Sequence, residues 1–276
     1  MEKTTTIGFI GAGNMAFALI SGLRSSGFPV KNIKVSDKDA VLLSQRKTEL
    51  GIEIFTDNMQ LARQSDVIVF AVKPQILSTV CQELQPHINH QPLMISIVAG
   101  VKSTSINRWL GGDASIVRAM PNTPALLGVG ATGMMTNDAV SKEQKALTEQ
   151  ILSSVGACFW VKDEDMIDAV TALSGSGPAY FFLMIESMTK AGVALGLDEK
   201  IAEKLSIQTA LGASMMASQS NDSSNELRAK VTSKNGTTQA AIESFQTQNF
   251  ESVVSHAMRA AFDRAKKIGF ELDDNA

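Results

Sequence analysis

The sequence predicts an α/β fold in its first part, a doubly wound and mostly parallel sheet, followed by a part made of helices alone. Two observations carry this. Up to about Val161, short β-branched runs alternate with helical stretches, the pattern of parallel strands joined by crossover helices. Beyond Val161 the strand signals stop, and apolar residues recur at spacings of three and four, the periodicity of a helical bundle. The domains expected are therefore residues 1–161 and residues 162–276.

In chain order, the expected strands are Ile7 to Ile10, Ile33 to Ser36, Val67 to Val72, Leu93 to Val98 and Ser115 to Ala119. Helices between them begin near Asn14, Asp39, Asp57, Gln75 and Ser103, several with polar starts suited to capping. The stretch PNTPALLGVGATGMM after Met120 reads as turns around one or two further strands, and a helix follows from about Ser141 to Ser154. The second part reads as helices over Asp165–Leu173, Pro178–Leu195, Glu199–Ser218, Leu227–Val231, Thr238–Phe245 and Phe250–Lys267. The polar run SQSNDSSNE reads as a loop between two of them.

Composition narrows the function. A chain of 276 residues that is 44% hydrophobic buries a substantial core, which excludes a disordered tail. Its 25 basic and 28 acidic side chains leave a net charge of -3, a poor balance for long-range attraction to nucleic acid or an anionic membrane. Cys81 and Cys158 lie far apart with no partner motif, so no disulfide framework or thiolate metal cluster is expected. His87, His90 and His256 share no ligand spacing, and no metal site is expected. The opening MEKTTTIGFIGAGN lacks the layout of a leader, and no later apolar run reaches about 18 residues, so a cytoplasmic chain is expected.

The first strand runs directly into Gly11-Ala12-Gly13-Asn14-Met15-Ala16, a G-x-G-x-x-A motif at a strand-to-helix turn. Gly11 permits the sharp turn, Gly13 lets a pyrophosphate reach the backbone, Ala16 allows close helix packing, and the amides of the helix start face negative charge. The sheet is accordingly Rossmann-type, and the ligand expected is a nicotinamide dinucleotide. Which one depends on the end of the second strand. Asp37 falls about 20 residues beyond the motif, where an acid receives a ribose hydroxyl in NAD sites. Ser36 and Lys38 flank it, and a hydroxyl with a cation can instead hold a 2′-phosphate. NADPH is the expected cofactor, with NADH the alternative.

Further candidates fall at the carboxyl ends of later strands, the edge where open parallel sheets bind ligands. Ala71-Val72-Lys73-Pro74, Ala99-Gly100 and Pro121-Asn122 close three of them, and Asn58 opens the helix near Asp57. With Gly11, Ala12, Gly13, Asn14, Met15, Ser36 and Lys38 they form the expected cofactor-binding set.

Five segments in order across the chain, GFIGAGNM, AVKPQ, RAMPNTPA, LSGSGPAYFF and LRAKVTSKNGTTQAAIESF, resemble the Δ1-pyrroline-5-carboxylate reductase family. The resemblance implies NAD(P)H-dependent reduction of the cyclic imine pyrroline-5-carboxylate to L-proline, the last step of proline biosynthesis. It also implies that the helical part is a dimerisation domain, forming a homodimer, with dimers often assembled further into rings.

For the site, the resemblance implies that the substrate carboxylate lies on the loop containing Ser233, Gly236, Thr237 and Thr238, with the Thr238 hydroxyl near the ring nitrogen. It further implies that Ser176, in the turn Ser174-Gly175-Ser176-Gly177-Pro178, hydrogen-bonds near the nicotinamide and substrate. Thr238 and Ser176 are thus the expected catalytic residues. The chain departs from the family's usual Ser-Pro-Gly-Gly-Thr-Thr at Lys234 and Asn235; Asn tolerates the left-handed backbone, whereas Lys234 loses the rigidity of proline. Two other readings are weighed against this one. One is another reductase of similar layout, a β-hydroxyacid dehydrogenase or imine reductase; a catalytic lysine on the long helix would favour the hydroxyacid class, and the helix from Pro178 offers only Lys190. A nucleotide-sensing protein would have no use for a second small-ligand loop.

Overall fold

The computed structural model describes residues 5–273; Met1–Thr4, part of the segment read above for a leader, lie outside it. Eight strands form one sheet in the order β3-β2-β1-β4-β5-β6-β7-β8. They are β1 (Ile7–Ile10), β2 (Ile33–Ser36), β3 (Glu53–Phe55), β4 (Val67–Phe70), β5 (Leu93–Ser96), β6 (Ile116–Met120), β7 (Gly130–Thr136) and β8 (Gly156–Trp160). All neighbours are parallel except β6 and β7, where a connection carrying a 3-10 helix over Thr123–Leu127 reverses the chain. The chain leaves β1 toward β2 and β3, then crosses back to place β4 on the other side of β1. That reversal is the switch point at which doubly wound sheets open a crevice for ligand.

The interleaved helices are α1 (Asn14–Ser25), α2 (Ala40–Leu50), α3 (Asn58–Ala62), α4 (Pro74–Leu84), α5 (Ser103–Trp109) and α6 (Lys142–Leu152). Their starts follow from local chemistry. Asp39 and Asp57 accept backbone N–H bonds at the openings of α2 and α3, Pro74 occupies the first turn of α4, and Ser141 and Gln144 form a reciprocal capping box on α6. The central strands β1, β2, β4 and β5 are buried on both faces, with Ile7, Phe9, Val67 and Val69 packed toward α1 and Ile10, Ile68 and Phe70 toward α4. This is why they read as continuous apolar runs.

Helices α7 (Glu164–Val170), α8 (Gly177–Ala194), α9 (Glu199–Gln219), α10 (Ser224–Lys230), α11 (Thr237–Thr247) and α12 (Phe250–Asp273) complete the chain. Between α7 and α8 the small-residue turn expected at Ser174–Pro178 is instead a wider helical turn over Thr171–Gly175, with Ser176 N donating to Thr171 O at 2.8 Å. Neither Gly175 nor Gly177 has a positive φ, so nothing there breaks the helix. The end of the Met120 side chain lies against Gly175, 2.8 Å from where a Cβ would stand.

The chain forms two compact units, one of residues up to Ser176 together with those from Ala261 on, the other Gly177–Ala260. The change of secondary-structure type at Val161 and the division into compact units thus fall at different places, because α7 packs on β6 and β7.

Within the first unit, Arg118 of β6 is buried and paired with Glu164, while Asp168, one turn along α7, is buried nearby. Burial raises the Asp168 pKa; Arg118 and Lys266 oppose that, and Glu164 and Asp165 add to it. A carboxyl whose folded pKa lies above its unfolded value gives the fold most below the ordinary aspartate value of about 3.9 and loses that contribution as pH rises through the folded pKa. Asp168→Asn is therefore expected to raise the unfolding temperature at pH 7, with the gain shrinking as pH falls toward 4. Equal changes at both pH values in thermal melts would contradict this account.

Candidate dinucleotide site and helical unit

At the switch point the ends of β1, β2 and β4 are tied together by backbone bonds, Gly11 N to Ser36 O and Ala71 N to Ile10 O, each 2.8 Å. Gly11 has φ 104°, and a Cβ there would stand 2.5 Å from Ala71 O, so the turn itself requires glycine. Gly13 is different. Its φ is -66°, and nothing lies within 4 Å of a Cβ built on it. The fold leaves this position free to carry a side chain, yet it is glycine and caps α1 with no side-chain hydrogen bond. Gly13 and Asn14 are exposed and Met15 half-buried, which presents the first amides of α1 to ligand.

Gly11 and Gly13 line a cavity of about 320 Å³ with Ser36, Lys38, Asn58, Ala71, Val72 and Lys73. Eight of the residues expected from sequence thus meet in one place. Ser36 is buried and its hydroxyl donates to Asn58 Oδ1 at 2.8 Å, so of the flanking pair only Lys38 presents an uncommitted polar group. Lys73 is exposed and, like Lys38, has no side-chain partner among the described residues.

Asp37 has a role that its spacing alone does not reveal. Its two carboxylate oxygens accept from Ala12 N at 2.8 Å and Asp39 N at 3.0 Å, so it braces the glycine turn against the start of α2. Arg46 completes the brace, with Nε donating to Ala12 O at 3.0 Å and its guanidinium 4.4 Å from the Phe17 ring centroid. Ala12 is buried with both backbone groups engaged. Arg46 stands on the exposed side of a helix pattern, and no motif marks it.

Other expected residues lie outside this cavity. Asn122 is buried, its Nδ2 donating to Ser174 O at 3.0 Å and its Oδ1 accepting from Ala131 N at 2.9 Å, so both ends of its amide hold backbone partners. Pro121 is buried, and Gly100 is buried with φ 79°. Ser176 is half-buried, with no partner for its hydroxyl among the described residues.

In the second unit, Gly236 caps α11 without a side-chain hydrogen bond, and among the described residues the hydroxyls of Ser233, Thr237 and Thr238 also lack partners. Asn235 adopts φ 58°, the left-handed conformation expected of it, and its N–H donates to Gln239 Oε1 at 2.7 Å. The loop therefore holds its turn without glycine at that position. Lys190 on α8 pairs with Glu186 at 2.5 Å on an exposed face, which leaves the hydroxyacid-dehydrogenase reading without its lysine. Tyr180 is half-buried, His87 faces Arg63 across 3.0 Å, and His90 lies 3.0 Å from Ser65 O.

The helical unit has almost no interior of its own. Among its described residues only Gly177, Ala202 and Ser206 are buried, while Phe181, Phe182, Leu195, Leu205, Met216 and Val253 stand exposed. An apolar groove of about 1040 Å³ runs past Met184, Met188, Phe245 and Phe250. A unit this apolar outside and this empty inside requires another surface to cover it.

A Rossmann-type sheet with a glycine cradle at its switch point, in one chain with a helical unit that has almost no core of its own, defines a dinucleotide-binding protein whose helices need a further surface to cover them. Residues 164–268 match the model described as pyrroline-5-carboxylate reductase dimerisation, and residues 6–100 match that described as NADP oxidoreductase, coenzyme F420-dependent. The pyrroline-5-carboxylate reductase of Pseudomonas aeruginosa is 48% identical over 270 residues, 98% of this chain and 99% of that protein. The chain belongs to the pyrroline-5-carboxylate reductase family. Among solved structures, the Coxiella burnetii pyrroline-5-carboxylate reductase matches with a TM-score of 0.92 at 42% identity, over 96% of this chain and 99% of that one. The Plasmodium falciparum pyrroline carboxylate reductase, solved with NADP bound, matches with a TM-score of 0.84 at 31% identity, over 96% and 98%.

Proposed function

We propose that this chain reduces Δ1-pyrroline-5-carboxylate to L-proline with NADPH, as a homodimer. The observation that carries this reading is that one chain holds two unclaimed polar cradles, the glycine turn at Gly13 and the start of α11 at Gly236–Thr238. The first suits a pyrophosphate, since an absent Cβ at Gly13 serves nothing in the protein itself. The second suits a small carboxylate, because the leading amides of a helix gather on an anion.

In this reading the amides of Gly13, Asn14 and Met15 hold the pyrophosphate while Gly11 and Ala12, their own amides engaged within the protein, shape the turn beneath it; Lys38 holds the 2′-phosphate, and Ala71–Pro74, Asn58, Ala99, Gly100, Pro121 and Asn122 frame the rest of the cofactor. The reduced nicotinamide, when bound, supplies the hydride. Ser233, Gly236 and Thr237 hold the substrate carboxylate, and the Thr238 oxygen accepts the N–H of the ring iminium. That iminium arrives already protonated, so the chain needs no strong acid; it orients the ring and stabilises charge as it shifts. The Ser176 hydroxyl, without a partner among the described residues, adds a hydrogen bond beside the reacting atoms.

The exposed apolar helices of Gly177–Ala260 find their cover in a second copy, and dimers joined into a ring are the larger assembly we propose. We place the enzyme in the cytoplasm, consistent with two free thiols that burial holds in the protonated form.

Purified protein is expected to oxidise NADPH when pyrroline-5-carboxylate is added; no turnover with either NADPH or NADH would overturn the reading. Lys38→Ala should raise the KM for NADPH about tenfold, the worth of one charge-assisted hydrogen bond, and leave that for NADH unchanged. An unchanged KM for NADPH would remove Lys38 from the phosphate site.

A further inference from the structure

The turn between β5 and α5, Ala99 to Ser103, is held from outside by two distant parts of the chain. On one side, the last turns of α12 lie directly on Gly100. A Cβ at Gly100 would stand 2.6 Å from Ile268 Cγ2, and a Cβ at Gly269 would stand 2.6 Å from Gly100 O. The two glycines let backbone meet backbone where any side chain would hold them apart. Next to this contact the Lys102 ammonium sits 4.9 Å from the Phe270 ring centroid. On the other side, Ser103 N and Oγ both donate to Glu164 Oε1, at 2.8 and 2.6 Å, and Glu164 is itself held by the buried Arg118. The two grips are joined, since Lys266 of α12 pairs with Asp165 of α7 at 3.1 Å.

We propose that the last turns of α12, through Ile268, Gly269 and Phe270, are a positioning element that fixes the β5–α5 turn against the nicotinamide end of the cofactor. The inference rests on the reading above that Ala99 and Gly100 face that end. Packing alone would be served by apolar side chains on a loosely fitting turn. A contact between two glycines, flanked by a cation over an aromatic ring and a carboxylate taking two bonds, fixes the turn's place closely from both sides. Such precision matters where a reacting ring must be aligned, because small misplacements there cost much of the rate.

The test uses the full-length enzyme. Amide hydrogen exchange over residues 99–103 is first compared with and without NADPH, and slower exchange with NADPH is expected. If NADPH leaves that exchange unchanged, the turn does not face the cofactor and the proposal falls with that reading, whatever the variants do. Gly269→Ala, which pushes on Gly100 O, and Ile268→Ala, which loosens the same contact without adding atoms, are then assayed. Both are expected to lower kcat about tenfold and to weaken NADPH, while the affinity for the adenosine bisphosphate fragment of NADPH stays within twofold. If Gly269→Ala does not fold, Ile268→Ala decides. Unchanged kcat and NADPH affinity despite protection of the turn in the parent would overturn the proposal. So would an equal loss of affinity for the fragment, because that marks a general structural defect.

Discussion

Gly13→Val should fold normally and lose NADPH binding by about 100-fold, some 2.7 kcal/mol. At Gly13 the backbone is extended with φ -66°, a conformation open to any residue, and the space that a Cβ would occupy is empty of protein. The fold should lose no more than the difference between glycine and a poorer cap, about 1 kcal/mol or less. What valine fills is the space through which a pyrophosphate approaches the amides of α1. Gly11→Val provides the contrast. There φ is 104° and a Cβ meets Ala71 O at 2.5 Å, so the substitution should cost the fold itself, visible as a lower unfolding temperature before any ligand is added. Isothermal titration with NADPH and thermal melts on both variants separate the two effects. A Gly13→Val protein that binds NADPH like the parent would show that the glycine has no bearing on the cofactor.

The contrast between these two glycines also shows where sequence stops being informative. The cradle is legible because its parts are contiguous: one strand, one turn and one helix start, in a single run from Ile7 to Ala16. Asp37 is visible by its spacing, but its action is not, since a carboxylate that braces Ala12 N and one that receives a ribose hydroxyl stand at the same place in the chain. Arg46 leaves no mark at all; it reaches Ala12 O from nearly two turns into α2, through a contact that only the packed fold creates.

The strands that escape sequence do so for a related reason. Glu53–Phe55 is three residues long and half exposed, and Gly156–Trp160 opens on glycine and alanine, poor strand formers, leaving only Phe159 and Trp160 at its end to signal a strand. Both are strands because a neighbour offers a ladder: β2 for the first, β7 for the second. In the second case a Cβ at Gly156 would stand 2.0 Å from Gly130 O, so the glycines that weaken the local signal are what permit the pairing. Gly100 follows the same pattern. Its position at a strand end suggests ligand contact, while its φ of 79° and its closeness to Ile268 give the fold a requirement for glycine there that depends on a residue far along the chain. Helix α12 continues to Asp273, beyond the Lys267 at which its apolar periodicity fades, and those added turns are the ones that reach Gly100.

Thr238→Ala should lower kcat by about 100-fold and leave NADPH affinity unchanged, because a donor or acceptor at the reacting centre of a dry site is worth roughly 3 kcal/mol. Thr238 is the second residue of α11, and its hydroxyl has no partner among the described residues. Removing the hydroxyl therefore breaks nothing in the fold, and alanine is the better helix former at that place. Whatever is lost belongs to the ligand. The backbone amides of Thr237 and Thr238 survive the substitution, so carboxylate binding should persist and the KM for pyrroline-5-carboxylate should rise far less than kcat falls. That split distinguishes a group acting on the ring nitrogen from one that merely holds the substrate, for which KM would rise while kcat stayed near its parent value. Thr238→Ser, which keeps the oxygen, should recover most of the rate. A Thr238→Ala enzyme with full kcat would remove this hydroxyl from the reaction, and one that lost NADPH binding would place the residue in the cofactor site instead.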